Sequence, residues 1–387
     1  SRHEKFIQSS FSKDIDGMNR IIINFKFGHA RKEYAVLKEE DTIKNQVFSA
    51  LHKQLSLYSR QTLDHLEIWC SLRSLSAKFS SENFSTTQRS LRILSSLLSS
   101  LINEIQESLT IRVGSPDRAF DTLHITSCFD PVLAILNTTK TLSMRAFHFH
   151  VNAPYLPRSA TPPNTLRECH ELAPSQSLSR RLTESVLNST NDAQSVSIEF
   201  AGFPGDDIFH CLCDLVTHTQ RDPLQFIAFG KISRFAAVYC TLPFPTKTLY
   251  QFFTMETSHP QSNPFSEVVE FSLANNTFSS ALWQQLAQLL LERSSHCITE
   301  SLSRFEINNG RYVEQVSTTN TRLSPISITQ NPTIINAFER AVKANSALMS
   351  LGHQFPQDTN ATTPTARACM KLKLALRTNR ASNADGF

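Results

Sequence analysis

The chain has 387 residues, a formal net charge of +4, and 40% hydrophobic and 19% charged residues. That composition is ordinary for a folded chain, and the length suits either two compact domains or one repeat stack with no single core to outgrow. The basic excess is too small and too evenly spread to imply a nucleic-acid partner, and no run of about 18 apolar residues predicts a membrane span.

The first patterned residues are Ile22, Phe25 and Phe27, a short apolar series. Residues 1–60 as a whole are expected to form an N-terminal segment, a candidate degenerate capping repeat. Its charged, polar start shows no signal peptide. From Leu63 onward a fuller spacing rule emerges: apolar, two residues, apolar, one residue, apolar, then two residues to a small or amide side chain. Leu63, Leu66 and Ile68 open it. Residues 90–109, rich in Leu and Ser, read as a long helix, with a degraded copy of the rule near Leu109 and Ile111. Phe120, Leu123, Ile125 and Cys128 fit next, then Met144, Phe147, Phe149 and Asn152. Residues 153–165 carry four prolines and are expected to be a loop.

The rule resumes with Ser195, Ile198 and Phe200. A helix is predicted over residues 206–219. Asp206 and Asp207 suit its N-terminus, and Ile208, Leu212, Leu215 and Val216 share one face. Leu224, Ile227 and Phe229 form the next match, and Tyr250, Phe253 and Met255 a weak one. Val268, Phe271, Leu273 and Asn276 fit in full. A helix over residues 279–293 puts Leu282, Leu286, Leu289 and Leu290 on one stripe, with Ser279 or Ser280 as N-cap. Leu302 starts another match, and Leu323, Ile326, Ile328 and Asn331 another. A helix over residues 333–345 aligns Ile334, Ala337, Phe338, Ala341 and Val342. Leu348 closes the series, and a basic helix follows the polar break at residues 355–365.

Phe120 to Met144, Ser195 to Leu224, Leu224 to Tyr250 and Leu323 to Leu348 lie 24 to 29 residues apart, the period of leucine-rich repeats, whose signature the rule resembles. The resemblance implies an α/β fold: a leucine-rich-repeat solenoid of strand–helix units with a curved parallel sheet. Irregular repeats would span residues 61–365, and residues 366–387 would be a basic capping helix and tail. Fitted apolar residues would point inward, and 27 phenylalanines suit a long, thin core. The terminal amides would bond the backbone of neighbouring turns. Outward strand residues would then be the binding candidates: Glu67, His124, His148, Glu199, Glu270, Ser272, Arg304, Glu306 and Ser327.

Chemistry is less well supported. The eight cysteines include no C-x-x-C pair and are expected to be reduced thiols in a cytoplasmic protein. The rival reading is a secreted chain, which N-x-S/T triplets at Asn83, Asn137, Asn188, Asn275 and Asn360 would serve. His148 and His150 share a face but have no third metal ligand at suitable spacing. Gly202 and Gly205 lie in a turn without the lysine of a phosphate loop, and no serine has a nucleophile-elbow context. A non-enzymatic protein without cofactor, small-molecule substrate or metal is expected.

The C-terminal residues narrow the resemblance. Asn345, Leu348, Leu351, Gly352, His353, Phe355, Arg367, Ala368, Leu376, Arg377 and Arg380 match the end of tropomodulins and leiomodins, where a helix, a short strand and a basic helix close the repeat stack. The match runs over about residues 266–380. It implies an actin-binding, pointed-end-capping scaffold in which Lys371, Lys373, Arg377 and Arg380 contact an acidic partner. Upstream, no acidic tropomyosin-binding helix is visible in residues 1–60. The alternative is a repeat-type substrate receptor of a ubiquitin ligase, or another protein-interaction adaptor.

Overall fold

The computed structural model describes residues 7–13, 19–27, 63–72, 105–113, 145–152, 178–189, 193–203, 205–221, 231–240, 248, 252–253, 264–291, 302–313, 325–352 and 362–384. They form an α/β fold. The chain divides into two compact units: Ser1–Ile198 with Ala228–Gly230, and Glu199–Ile227 with Lys231–Phe387.

In the first unit, β1 (Ile7–Lys13), β2 (Asn19–Phe27), β3 (Leu63–Leu72), β4 (Ile105–Val113) and β5 (Ala146–Asn152) lie side by side in chain order. β1 is antiparallel to β2, and β2 through β5 are parallel. The register aligns Leu66 with Leu109 and Phe147, and Ile111 with Phe149. All five are buried. Alternate residues of the same strands carry His65, Glu67, Thr110, Arg112 and His148 on the other face. The helix expected over residues 90–109 therefore gives way at its end. From Ser108 to Arg112 polar and apolar residues alternate with period two, and a strand forms. The Phe120 match lies outside the described residues.

α1 (Leu178–Ser189) was not predicted. It buries Leu182, Val186 and Leu187 at helical spacing, and Arg180 pairs with Glu184 one turn on at 2.8 Å. β6 (Ser195–Ala201) runs from the first unit into the second and buries Val196, Ile198 and Phe200.

The second unit continues with α2 (Gly205–Arg221), β7 (Ile232–Val238), β8 (Glu270–Ser272), β9 (Thr277–Ser279) and α3 (Ser280–Leu291). Then come β10 (Arg304–Glu306), β11 (Arg311–Val313), β12 (Ile326–Ser327), α4 (Pro332–Ala344) and α5 (Pro364–Ala384). The main strands are ordered β6-β7-β8-β10, with β7, β8 and β10 parallel. Ser350 adds a parallel bridge to Arg304. A side sheet, β12-β11-β9, pairs β9 parallel and β12 antiparallel to β11.

Register explains the wealth of phenylalanine. Phe235, Phe271 and Phe305 are aligned across three strands. Their rings stack at 5.6 Å and 6.2 Å, and Phe200 and Phe338 extend the row at 6.0 Å and 6.3 Å. All five are at most 1% exposed, each contributing about 1.5–3 kcal/mol through burial. The helices close over this row. α3 buries Leu282, Trp283, Leu286, Leu289 and Leu290, with its first turn capped by Ser279, whose Oγ accepts the Leu282 amide at 3.1 Å. α4 buries the expected Ile334, Ala337, Phe338, Ala341 and Val342 and packs against both α3 and α5.

Three expectations change. The strand after β6 is Ile232–Val238, a match to the rule through Ile232, Phe235, Ala237 and Cys240, whereas Leu224, Ile227 and Phe229 lie outside the described residues. Phe253, expected on a strand, is helical and packs edge-on against Phe271 at 5.0 Å. Ile326 and Ser327 belong to the side sheet, because their partner is the antiparallel β11. Neighbouring strands are also more than 29 residues apart: 43 residues from His65 to Ser108, 38 from Glu107 to Arg145, 36 from Arg234 to Glu270 and 34 from Val269 to Ser303, the last as the Val268 and Leu302 matches are spaced. Between β8 and β10 this length accommodates β9 and the twelve-residue α3.

The ends of the second unit's strands repeat a further feature. Gly202, Tyr239, Asn275 and Asn309 all have positive φ, at 77°, 53°, 60° and 53°. Asn275 and Asn309 tolerate this region because their short polar side chains bond locally, here to each other at 3.1 Å. The residue after Asn275 is Asn276, 1% exposed. Its Oδ1 accepts the Cys240 amide, and its Nδ2 donates to the carbonyls of Ala237 and Leu273. This is the bonding expected of the rule's last position. Asn331 acts differently: it caps α4, its side chain accepting the amides of Thr333 and Ile334.

Candidate functional site

On the second unit's sheet, the face opposite the phenylalanine row carries a line of charges. Arg234, Glu270 and Arg304 are register partners. Arg234 Nε donates to Glu270 Oε1 at 2.8 Å, and its Nη1 to Glu199 Oε2 at 3.1 Å. Arg304 lies 3.8 Å from the second Glu270 oxygen and 3.2 Å from Glu306. Asn308 Nδ2 donates to the same Glu306 oxygen at 2.8 Å. Burial opposes the charge on Arg234, but the hydrogen bond to Glu270 and the charges of Glu199 and Glu270 outweigh it, so the guanidinium is held above its ordinary value.

The structure thus brings Glu199, Glu270, Arg304 and Glu306 together, through Arg234. Sequence reading missed Arg234 because it passed over the Ile232 strand, although Arg234 stands at the same offset after Ile232 as Glu270 after Val268. The line is a network of two guanidiniums and three carboxylates. Each charged group in it has an opposite charge as neighbour.

Other expected contact residues are not on an open face. Glu67 is 3% exposed and pairs with Arg112 at 2.8 Å. Ser272 is 1% exposed, and its hydroxyl accepts the Ala274 amide. Beside it Ala201, Ala236, Val238 and Ala274 are likewise buried. Ser327 is on the side sheet, where its Oγ accepts the Thr329 amide. His148 is half-buried on β5 beside Thr110, and His150 beside Arg112. His124 lies outside the described residues.

The basic residues of α5 divide. Lys371 and Arg377 are exposed, Lys373 is half-buried, and Arg380 Nε donates to the Met349 carbonyl at 2.8 Å. The helix is anchored by Ala368, Cys369, Leu372, Ala375, Leu376 and Asn379, all buried. Asn379 Nδ2 lies 2.9 Å from the carbonyls of Val342, Asn345 and Leu348, at the end of α4 and in its following turn.

An open groove of about 400 Å³ between α3 and α4 is lined by Ala281, Gln284, Gln285, Gln288, Leu291, Ala337 and Arg340. These residues supply no carboxylate, thiol, imidazole or hydroxyl as base or nucleophile. Among the described residues no group of three His, Cys, Asp or Glu is placed to hold a metal ion, and no helix is long and apolar enough to cross a membrane. Comparisons with protein-family models, curated proteins and solved structures find no match.

Proposed function

We propose that the chain is a non-enzymatic, leucine-rich-repeat scaffold of the cytoplasm that binds another protein, with actin as the first partner to test. The solenoid reading is supported by the in-register parallel strands, the helices between them, and the bonding of Asn276. The observation that carries the binding reading is a contrast of charge. The sheet face pairs its Glu and Arg side chains with one another, whereas α5 has basic residues and no acidic one from Pro364 to Ala384. The exposed Lys371 and Arg377, on a helix with no acidic residue, suit an acidic protein surface.

Pyrene-actin elongation from filaments blocked at their barbed ends tests the actin assignment. Micromolar protein should slow pointed-end growth, and a Lys371→Glu, Arg377→Glu variant should slow it less. Growth indistinguishable from the protein-free control removes actin as the partner.

A further inference from the structure

We propose that the outer face of α5 is a helix-pairing seam that takes one acidic amphipathic helix of a partner protein; this rests on the reading of the chain as a non-enzymatic binding scaffold. The seam consists of Arg367, Met370, Leu374, Arg377 and Ala381, spaced three, four, three and four residues apart. All five are exposed. This is the alternation that keeps one stripe of a helix facing a second helix. It lies on the side away from Leu372, Ala375 and Leu376, which dock α5 onto its own fold.

The centre of the seam is apolar and open. Met370 is 53% and Leu374 65% exposed, the two most exposed large hydrophobic side chains among the described residues. They are one helical turn apart, so a single apolar ridge of a partner covers both. Cations flank them: Arg367 before, Lys371 between, Arg377 after. Arg367 Nη2 donates to its own chain at the Thr362 carbonyl, which leaves its other donors.

Charge selects the occupant. A second copy of α5 would bring cations against cations, which disfavours self-pairing. An anionic membrane would call for a broad apolar face with cations at its margins. Here the broad apolar face is turned into the protein, and only Met370 and Leu374 face outward as large apolar groups. What complements the seam is a helix with two apolar residues one turn apart and carboxylates placed outside them. From Arg367 to Ala381 the seam is roughly 21 Å long at 1.5 Å per residue, which calls for about four turns of partner helix.

The test uses the full chain and a fluorescein-labelled synthetic acidic helix. Two leucines one turn apart form its apolar ridge, and glutamates flank them. Controls are a scrambled peptide of the same composition, a peptide with lysine for glutamate, and phosphatidylserine vesicles. Fluorescence anisotropy should show the acidic helix binding at least tenfold more tightly than the scrambled one. Met370→Ser with Leu374→Ser should weaken it at least tenfold without changing the far-UV circular dichroism. Lys371→Glu should do the same and should gain affinity for the lysine peptide. Equal binding of the scrambled peptide, unaffected binding by the double variant, or binding of vesicles but not peptide overturns the inference. The pyrene-actin assay on the same variants separates the two readings. Peptide binding without any actin effect removes actin alone. An actin effect that the double variant retains, with no peptide binding, removes the seam alone.

Discussion

Asn276 reaches to the neighbouring strand's end and accepts the backbone amide of Cys240 at 2.7 Å. Its amide nitrogen holds Ala237 and Leu273 carbonyls at 2.8 and 2.9 Å. One buried side chain thus bonds three backbone groups beside the left-handed turns at Tyr239 and Asn275. Asn276→Ala removes all three bonds and leaves buried groups unpaired. At about 1 kcal/mol per bond plus the cost of orphaned groups, the loss should be roughly 3 kcal/mol in a urea titration. Asn276→Asp should rescue little, because it restores an acceptor for Cys240 but no donor for the two carbonyls.

Asn379 and Asn345 make a second pair with opposite expectations. Asn379 caps three carbonyls around the end of α4 from across the helix pair. Asn345 is fully buried, yet neither side-chain polar atom has a hydrogen-bond partner. Asn379→Ala should cost about 2–3 kcal/mol and raise amide exchange throughout α5. Asn345→Ala removes polar atoms whose burial is uncompensated, so it should leave the urea midpoint unchanged or raise it. A large loss for Asn345→Ala and none for Asn379→Ala would reverse the roles assigned to the two amides.

How far the sequence shows this architecture is clearest at Arg234. The apolar places of its strand are Ile232, Phe235 and Ala237, and the small last member gives a weak contrast of hydropathy. The stronger pattern at Leu224, Ile227 and Phe229 drew the prediction instead. Phe271 and Phe305 were legible because large side chains mark every inward place of their strands. Ser327 failed for another reason. Spacing reports which way a side chain points along its own strand, and the identity of the paired strand is set by the side sheet's β11. α2, α3 and α4 were legible because each buries a stripe of period 3.6, whereas the helical Phe253 was not. For the binding residues, the sequence located the charges on β8 and β10 but not their mutual pairing, which depends on strands 34 and 36 residues apart.

The charge line itself has an expected hierarchy. Arg234 is held by two carboxylates, and its side chain is 28% exposed, against 44% for Arg304. Arg234→Ala leaves Glu199 and Glu270 partly buried without their donor and should cost about 1–2 kcal/mol. Arg304→Ala should cost under about 1 kcal/mol, as more exposed pairs do. Raising the salt concentration should shrink the Arg304 effect more than the Arg234 effect. Chemical denaturation with urea, at low and high sodium chloride, measures both.

Gly352 limits the same line from the other side. Its φ is +66°, and a Cβ there would lie 2.5 Å from Glu306 Cγ. Gly352→Ala combines an unfavourable backbone conformation, at roughly 1 kcal/mol, with displacement of Glu306 from Arg304 and Asn308. The sum should be about 2–3 kcal/mol. Glu306→Ala in the same chain removes the collision but not the backbone cost. The double variant should therefore be more stable than the sum of the single losses predicts, a coupling that a double-mutant cycle reads directly.

Two thiols of the second unit oppose folding at alkaline pH. Burial, reinforced by the charge of Asp214, pushes Cys213 from 9.0 up to about 12. Burial also pushes Cys240 up to about 12, against a smaller opposing effect of a backbone hydrogen bond. Between pH 9 and 12 the folded thiols keep protons that the unfolded chain has released. The unfolded state then binds fewer protons, so stability falls as pH rises through that window. Cys213→Ala should flatten this fall when thermal midpoints are followed from pH 8.5 to 10.5, even if packing loss lowers the curve as a whole. The burial of Cys213 predicts that iodoacetamide at pH 8 modifies it only as fast as the unit opens, because the attacking thiolate is scarce in the folded state. Modification at the rate of a free thiol in native buffer would show that the Cys213 sulfur is not enclosed as described.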